Sequence, residues 1–288
     1  MSYEKITVQN SSYSGQNGRY SVNIIPDVEY EKFADRSMKL HIIKPENEEM
    51  KYPLIVYVKG SSWAKQKLYR NLPKLCQIAE YGFVIAQVEY REMPYGTVTE
   101  MVEDTKAAVR FMRQHADEYN VDKEKVGLFG DSSGGHVALM AALTDGEYKN
   151  WICPEESDKV TAVVDYYGVT HLQSLAEFYK MDKNYNNVFM HNLLGDKVDN
   201  LGIDWANPVD LVSAEKDIPP ILIVHGDRDS VVPFSQSEIL AEKLEKCNKE
   251  VSLVKVMGGE HDFGIWGDER AKLTADFFNS YFYYKRRR

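Results

Sequence analysis

The serine in Gly130-Asp131-Ser132-Ser133-Gly134 is the residue of this chain best placed to act as a nucleophile. An apolar run, Val126 to Phe129, stops at Gly130, and a helix-compatible run from Val137 to Leu143 follows almost at once. Strand, one sharp corner, then helix is the setting in which Gly-x-Ser-x-Gly raises a serine hydroxyl above a sheet edge. A Cβ at Gly130 or Gly134 would press on the neighbouring strand or helix. The helix beginning at Ser133 aims free N–H groups and the positive end of its dipole at the same spot.

A serine hydroxyl needs a base beside it and a carboxylate to orient that base. The chain has seven histidines. His41 lies within a strand pattern, His115 on a helix face and His136 inside the elbow helix, and all three read as structural. His225, just before Gly226 at a strand end, reads as packed or hydrogen-bonded. His171 and His191 fall in an irregular stretch, where position does not dismiss them. His261 lies in Gly258-Gly259-Glu260-His261-Asp262, directly after the last strand, where an exposed imidazole is most easily presented. Only the neutral ring serves as base, so activity is expected to fall on the acid side. The orienting acid should end the preceding strand, where Asp227 and Asp229 both qualify. Asp229 is favoured, since Asp227 follows Gly226 so closely that it reads as a brace of the turn. Glu260 and Asp262 flank the histidine and point away from it, as supporting or solvent-facing groups. The oxyanion of a tetrahedral intermediate needs N–H donors. Ser133 supplies one, and Ser61 and Ser62, in Lys59-Gly60-Ser61-Ser62 after a strand, are the other candidates. Trp63 and Trp266, close in sequence to these segments, could stack on a sugar ring or close a small acyl pocket.

The elements that must position these groups alternate. Asp27 to Phe33 and Met38 to Ile43 read as an opening antiparallel pair, followed by a charged loop from Lys44 to Lys51. Leu54 to Val58, Phe83 to Val88, Val126 to Phe129, Val160 to Tyr167, Ile221 to Val224 and Val251 to Val256 read as further strands. Helical spacing covers Leu72 to Tyr81, Val98 to Tyr119, Ser235 to Cys247 and Ala271 to Tyr284. Such alternation predicts an α/β fold, a mostly parallel doubly wound sheet of about eight strands with helices on both faces. With no Pro/Gly/Ser-rich linker and no repeat, residues 1–288 read as one domain. Residues 1–20 would form an amino-terminal arm, and the poorly periodic stretch 170–210 a cap or lid insertion.

The formal net charge of −9 argues against a nucleic-acid or anionic-membrane partner, and no apolar window is long enough to span a bilayer. The basic Lys285-Arg286-Arg287-Arg288 reads as a solvated tail. Three scattered cysteines and a polar amino end without a signal pattern predict a reduced, cytoplasmic protein. No cofactor or metal is implied. The partner to expect is a small-molecule or oligosaccharide ester, with a homo-oligomer left open.

The order Ser132, Asp229, His261 resembles that of the α/β-hydrolase fold. Gly130-Asp131-Ser132-Ser133-Gly134-Gly135-His136 is similar to the Gly-Asp-Ser-Ala-Gly-Gly-His elbow of hormone-sensitive-lipase-like esterases. His225-Gly226-Asp227-Arg228-Asp229-Ser230-Val231-Val232-Pro233 resembles their acid loop, whose fifth position carries the triad carboxylate. Glu89-Tyr90-Arg91 resembles their Asn-Tyr-Arg or Asp-Tyr-Arg stretch, with glutamate as a departure. Lys59-Gly60-Ser61-Ser62 departs from their usual His-Gly-Gly-Gly, and Lys59 there would either favour an anionic substrate or form a surface ion pair. Short-acyl carbohydrate esterases of the acetyl-xylan and feruloyl type are the most similar. The resemblance implies ester hydrolysis through an acyl-enzyme. Amide or formamide hydrolysis of the kynurenine formamidase type, and a catalytically silent binding protein on the same fold, are the alternatives.

Overall fold

The computed structural model describes residues 19–33, 36–148, 151–181, 188–197 and 202–284. The arm expected over residues 1–20 lies outside them except for its last two positions. Eight strands form one sheet: β1 (Val22–Phe33), β2 (Arg36–Pro45), β3 (Tyr52–Val58), β4 (Val84–Val88), β5 (Val121–Asp131), β6 (Ala162–Tyr166), β7 (Ile221–Gly226) and β8 (Val251–Val256). Their spatial order is β1-β2-β4-β3-β5-β6-β7-β8. The pairs β1/β2 and β2/β4 are antiparallel, and every other pair is parallel. The opening pair is longer than the sequence pattern suggests, because Lys44 and Pro45 continue β2 instead of starting the loop.

Among the described residues, seven α-helices flank the sheet: α1 (Leu72–Ala79), α2 (Val98–Gln114), α3 (Ser133–Leu143), α4 (Leu172–Phe178), α5 (Val188–Leu194), α6 (Ser235–Lys246) and α7 (Asp268–Asn279). The apolar residues of each inner strand divide between two cores. Leu54, Val56 and Val58 of β3 join Met101, Ala108 and Met112 of α2, Val137 and Met140 of α3 and Leu240 of α6. Ile55 and Tyr57 face the other way, onto Leu75 and Ile78 of α1 and Ala275 and Phe278 of α7. Burial on both faces is why these strands read as continuous apolar runs. Each such side chain contributes about 1.5–3 kcal/mol relative to exposure.

Two boundaries moved for local reasons. α2 opens with a capping box between Thr97 and Glu100 and stops at Gln114, short of the expected Tyr119. Asn120, at φ 56, then turns the chain into β5. β5 starts five residues early because Pro53 pairs with Asp122 and Leu54 with Val126, so the polar residues between them bulge out of register.

The stretch 170–210 holds structure that its pattern hid. His171 accepts the Ser174 N–H and opens α4, and α5 and two 3₁₀ turns, Asp204–Ala206 and Pro208–Leu211, follow. A helix of seven residues is two turns long, too short for a hydrophobic period to show. Its buried residues, Leu172, Leu175, Met190 and Leu193 among them, pack onto the α2/α3 core.

Candidate active site

Ser132 sits at the corner between β5 and α3 with φ 54 and ψ −128, a conformation that side-chain-bearing residues rarely adopt. The strain is held because the corner has no room to relax. A Cβ at Gly130 would meet Gly134 O at 2.3 Å, and one at Gly134 would meet Val58 O at 2.1 Å. The Ser132 N–H is tied to Tyr166 O at 2.9 Å.

The three strand-end residues meet. His261 Nε2 lies 3.0 Å from Ser132 Oγ, and His261 Nδ1 lies 2.7 Å from Asp229 Oδ2. With the Nδ1–H donating to Asp229, Nε2 is left to accept the serine hydroxyl. Asp229 Oδ1 accepts the N–H groups of Val231 and Val232, both at 2.8 Å, and Oδ2 also receives His225 Nε2 at 3.2 Å. Burial alone would raise this carboxyl. The hydrogen bonds from His225, His261 and Val232, with the charge of His261, outweigh it and hold the group well below the usual carboxylate range. His225 is fully buried and braced by Ser237 Oγ at 2.6 Å and Val232 O at 2.9 Å. Asp227 instead accepts the Gly258 N–H at 2.6 Å, so it supports the loop that carries His261.

The segment after β3 is packed onto the elbow: a Cβ at Gly60 would meet Asp131 O at 2.4 Å and Ser132 Cβ at 2.7 Å. Here the expected donor set changes. The N–H groups of Ser61 and Trp63 both donate to Ser133 Oγ, at 2.9 and 3.1 Å, so Ser61 is already committed. Ser133 N–H, the first of α3, has no acceptor within its own helix. Ser62, at φ 55, lines the cavity above Ser132. Lys59 is buried, not at the surface. Its Nζ bonds Gly60 O at 2.8 Å and lies 3.6 Å from Asp131 Oδ2, which leaves it no open face for a substrate anion. Asp131 Oδ1 also takes the Gly60 N–H at 2.8 Å and the Tyr57 hydroxyl at 2.5 Å.

Trp63 is almost fully buried and forms part of the cavity wall, its Nε1–H donating to His136 Nδ1 at 3.1 Å. His136 in turn reaches Ala206 O at 2.8 Å, joining the elbow helix, the segment after β3 and the 170–210 stretch. Burial, opposed only in part by the bond to Ala206, pushes His136 down to about 4, so it is neutral near pH 7. Trp266 does not line the cavity. It packs on Tyr57, Phe129 and Tyr166 and donates to the Tyr167 hydroxyl at 2.7 Å, so its place next to His261 in sequence misleads. His171 caps α4 and His191 lies in α5, and neither is the partner of Ser132. Beneath the elbow, burial pushes the Asp165 carboxyl up to about 8, eased by the nearby Gly168 N–H and aggravated by Asp131.

The cavity that opens on Ser132 has a volume of about 200 Å³. Leu172, Leu175 and Tyr179 on the α4 side, Phe189 and Met190 of α5, and Val231 and Val232 give it mostly apolar walls. Tyr167, which the sequence did not single out, places its ring edge-on to His261 with centroids 4.7 Å apart. Its place at the end of β6, beside the elbow strand, was the available signal.

The BD-FAE family model matches residues 40–244. The probable carboxylic ester hydrolase LipM of Mycobacterium tuberculosis is 29% identical over 237 residues, covering 77% of this chain and 52% of its own length. The chain spans about half the length of the curated relatives it matches. Among solved structures, a truncated form of a carbohydrate esterase from gut microbiota superposes with a TM-score of 0.78 at 25% identity, covering 92% of this chain and 97% of that one. A bifunctional GH43-CE protein of Bacteroides eggerthii gives 0.76 at 27% identity, covering 88% of this chain and 37% of that one.

Proposed function

The chain belongs to the BD-FAE family, an α/β-hydrolase esterase fold, and from that premise we propose that it is a serine carboxylesterase acting on short acyl groups carried by a carbohydrate. The observation that carries this reading is the continuous relay from Ser132 Oγ through the His261 ring to Asp229, at 3.0 and 2.7 Å. Ser132 attacks the ester carbonyl carbon as His261 Nε2 takes its proton, and the resulting imidazolium is stabilised by the Asp229 carboxylate. The oxyanion is received by the N–H groups of Ser62 and Ser133, at the positive end of α3. Collapse of the tetrahedral intermediate expels the alcohol, which takes the proton from His261 and leaves an acyl-enzyme. Water, deprotonated by the same ring, then releases the acid and restores Ser132.

The acyl group lies in the cavity of about 200 Å³, against the described residues of α4 and α5 that wall it. A dry apolar cavity of roughly 150 Å³ holds a benzene ring, so this space suits an acetyl group or a compact aromatic acyl group such as feruloyl better than a long lipid chain. The names of the structural relatives, a carbohydrate esterase and a GH43-CE protein, support a sugar as the alcohol. The test is a panel of acetylated xylo-oligosaccharides, feruloyl esters, p-nitrophenyl acetate and N-formylkynurenine. Turnover of the ester donors, with Ser132→Ala lowering kcat by about five to six orders of magnitude, is expected. Turnover of the formamide alone, or near-normal ester cleavage by Ser132→Ala, rejects the reading.

A further inference from the structure

His261 sits on a loop with little packing of its own: Phe263 is exposed, and Gly258, Asp262 and Gly264 all have positive φ. A base on such a loop keeps its place only if something outside the loop holds it. Asp227 anchors the entry to the loop through Gly258. The residue after the histidine is anchored across the domain. Asp262 Oδ1 lies 2.6 Å from Lys74 Nζ of α1, and Oδ2 lies 3.0 Å from Arg70 Nη2, just before α1. The Tyr167 hydroxyl reaches Oδ1 at 3.4 Å while its ring rests on the His261 ring, and Trp266 Nε1 donates to that hydroxyl at 2.7 Å. Lys74 Nζ also stands 4.8 Å from the Trp266 ring centroid. Asp262 was expected to be supporting or solvent-facing, and it is less than a third exposed.

We propose that Asp262, clamped by Lys74 and backed by Tyr167, is the positioning residue that keeps the His261 ring within hydrogen-bond reach of Ser132. The inference rests on the reading of His261 as the catalytic base. Burial would raise the Asp262 carboxyl, but the bonds and charges of Lys74 and Arg70 keep it below its ordinary value, so the anion persists in the working pH range. Arg70 is mostly exposed and contributes less than Lys74, whose cation is largely covered and lies closer.

The test compares wild type with Asp262→Asn, Lys74→Met and Lys74→Arg by kcat, KM, thermal midpoint and the rate of fluorophosphonate labelling. A misplacement of about 1 Å costs on the order of a hundredfold in rate, so a loss of about ten- to a hundredfold in kcat is expected for Asp262→Asn and Lys74→Met. The labelling rate should fall in parallel, with KM within about twofold of wild type and Lys74→Arg largely restored. Unchanged kcat and labelling in Asp262→Asn overturns the proposal. So does a loss that Lys74→Arg shares in full, or one that tracks a lowered thermal midpoint. A wild type that neither labels nor turns over the ester panel sinks the esterase reading and the clamp with it, whereas a reactive wild type with unaffected variants sinks the clamp alone.

Discussion

Replacing Gly134 by alanine tests whether the corner is as tightly built as its geometry implies. The new Cβ would lie 2.1 Å from Val58 O and 2.7 Å from Lys59 C, both backbone atoms that cannot swing aside. Ordinary contact begins near 3.5 Å, so α3 and the end of β3 must part by about 1.4 Å. That displacement pulls Ser133 N–H away from the Ser61–Ser62 segment, and a misplacement of this size costs on the order of a hundredfold in kcat. Overpacking adds roughly 3 kcal/mol of destabilisation, which for a chain of this size lowers the thermal midpoint by about 5–10 °C. Gly146→Ala is the matched control. Gly146 has φ +76 with nothing within 4 Å of the added Cβ, so only the conformational cost of about 1–2 kcal/mol remains and kcat stays at wild type. Steady-state kinetics on p-nitrophenyl acetate and a thermal melt give both numbers. If Gly134→Ala kept kcat within threefold and melted at the wild-type temperature, the packing argument for the elbow would be wrong.

Two further outcomes follow from the buried polar groups. Asp229→Asn places an amide NH₂ against the N–H groups of His225 and His261, turning the His261 ring to its other tautomer, and should lower kcat by about 10⁴ with little change in KM; a loss below tenfold counts against the role of Asp229. His136 is neutral in the fold down to about pH 4, whereas an unfolded histidine takes up its proton near pH 6.5. Its contribution is therefore complete above about pH 6.5 and is lost as the pH falls towards 4, roughly 3 kcal/mol in all. Urea unfolding at pH 7, 5.5 and 4.5 should show a shallower acid loss in His136→Gln than in wild type, and equal slopes would remove His136 from the account.

What the sequence disclosed depended on whether side-chain identity carried the information. The elbow was legible because Gly130 and Gly134 are demanded by backbone contacts, and the switch from strand to helix around Ser132 is written in hydrophobic period. Asp229 and His261 were legible as polar residues at strand ends, since a parallel sheet gathers such ends along one edge. Donor geometry was not, because backbone direction leaves no mark on composition: nothing in Ser61 or Ser133 announces that the hydroxyl of one would take the N–H of the other. Burial was hidden in the same way. Lys59 looked like a surface lysine until Asp131, whose role depends on the fold around the elbow, was placed beside it. Trp266 was drawn to the site by its nearness in sequence to His261, but the chain turns after Gly264 and drives the indole under the sheet. α4 and α5 escaped because each is two turns long, and their apolar residues answer to the cavity and the α2/α3 core rather than to a repeating stripe.

The most direct measurement is intact-mass and peptide-level analysis after treatment with a fluorophosphonate. One adduct per chain is expected, on the peptide carrying Ser132, formed rapidly in wild type, slowly in His261→Ala and not at all in Ser132→Ala. An unlabelled wild type, or an adduct that survives in Ser132→Ala, would contradict it.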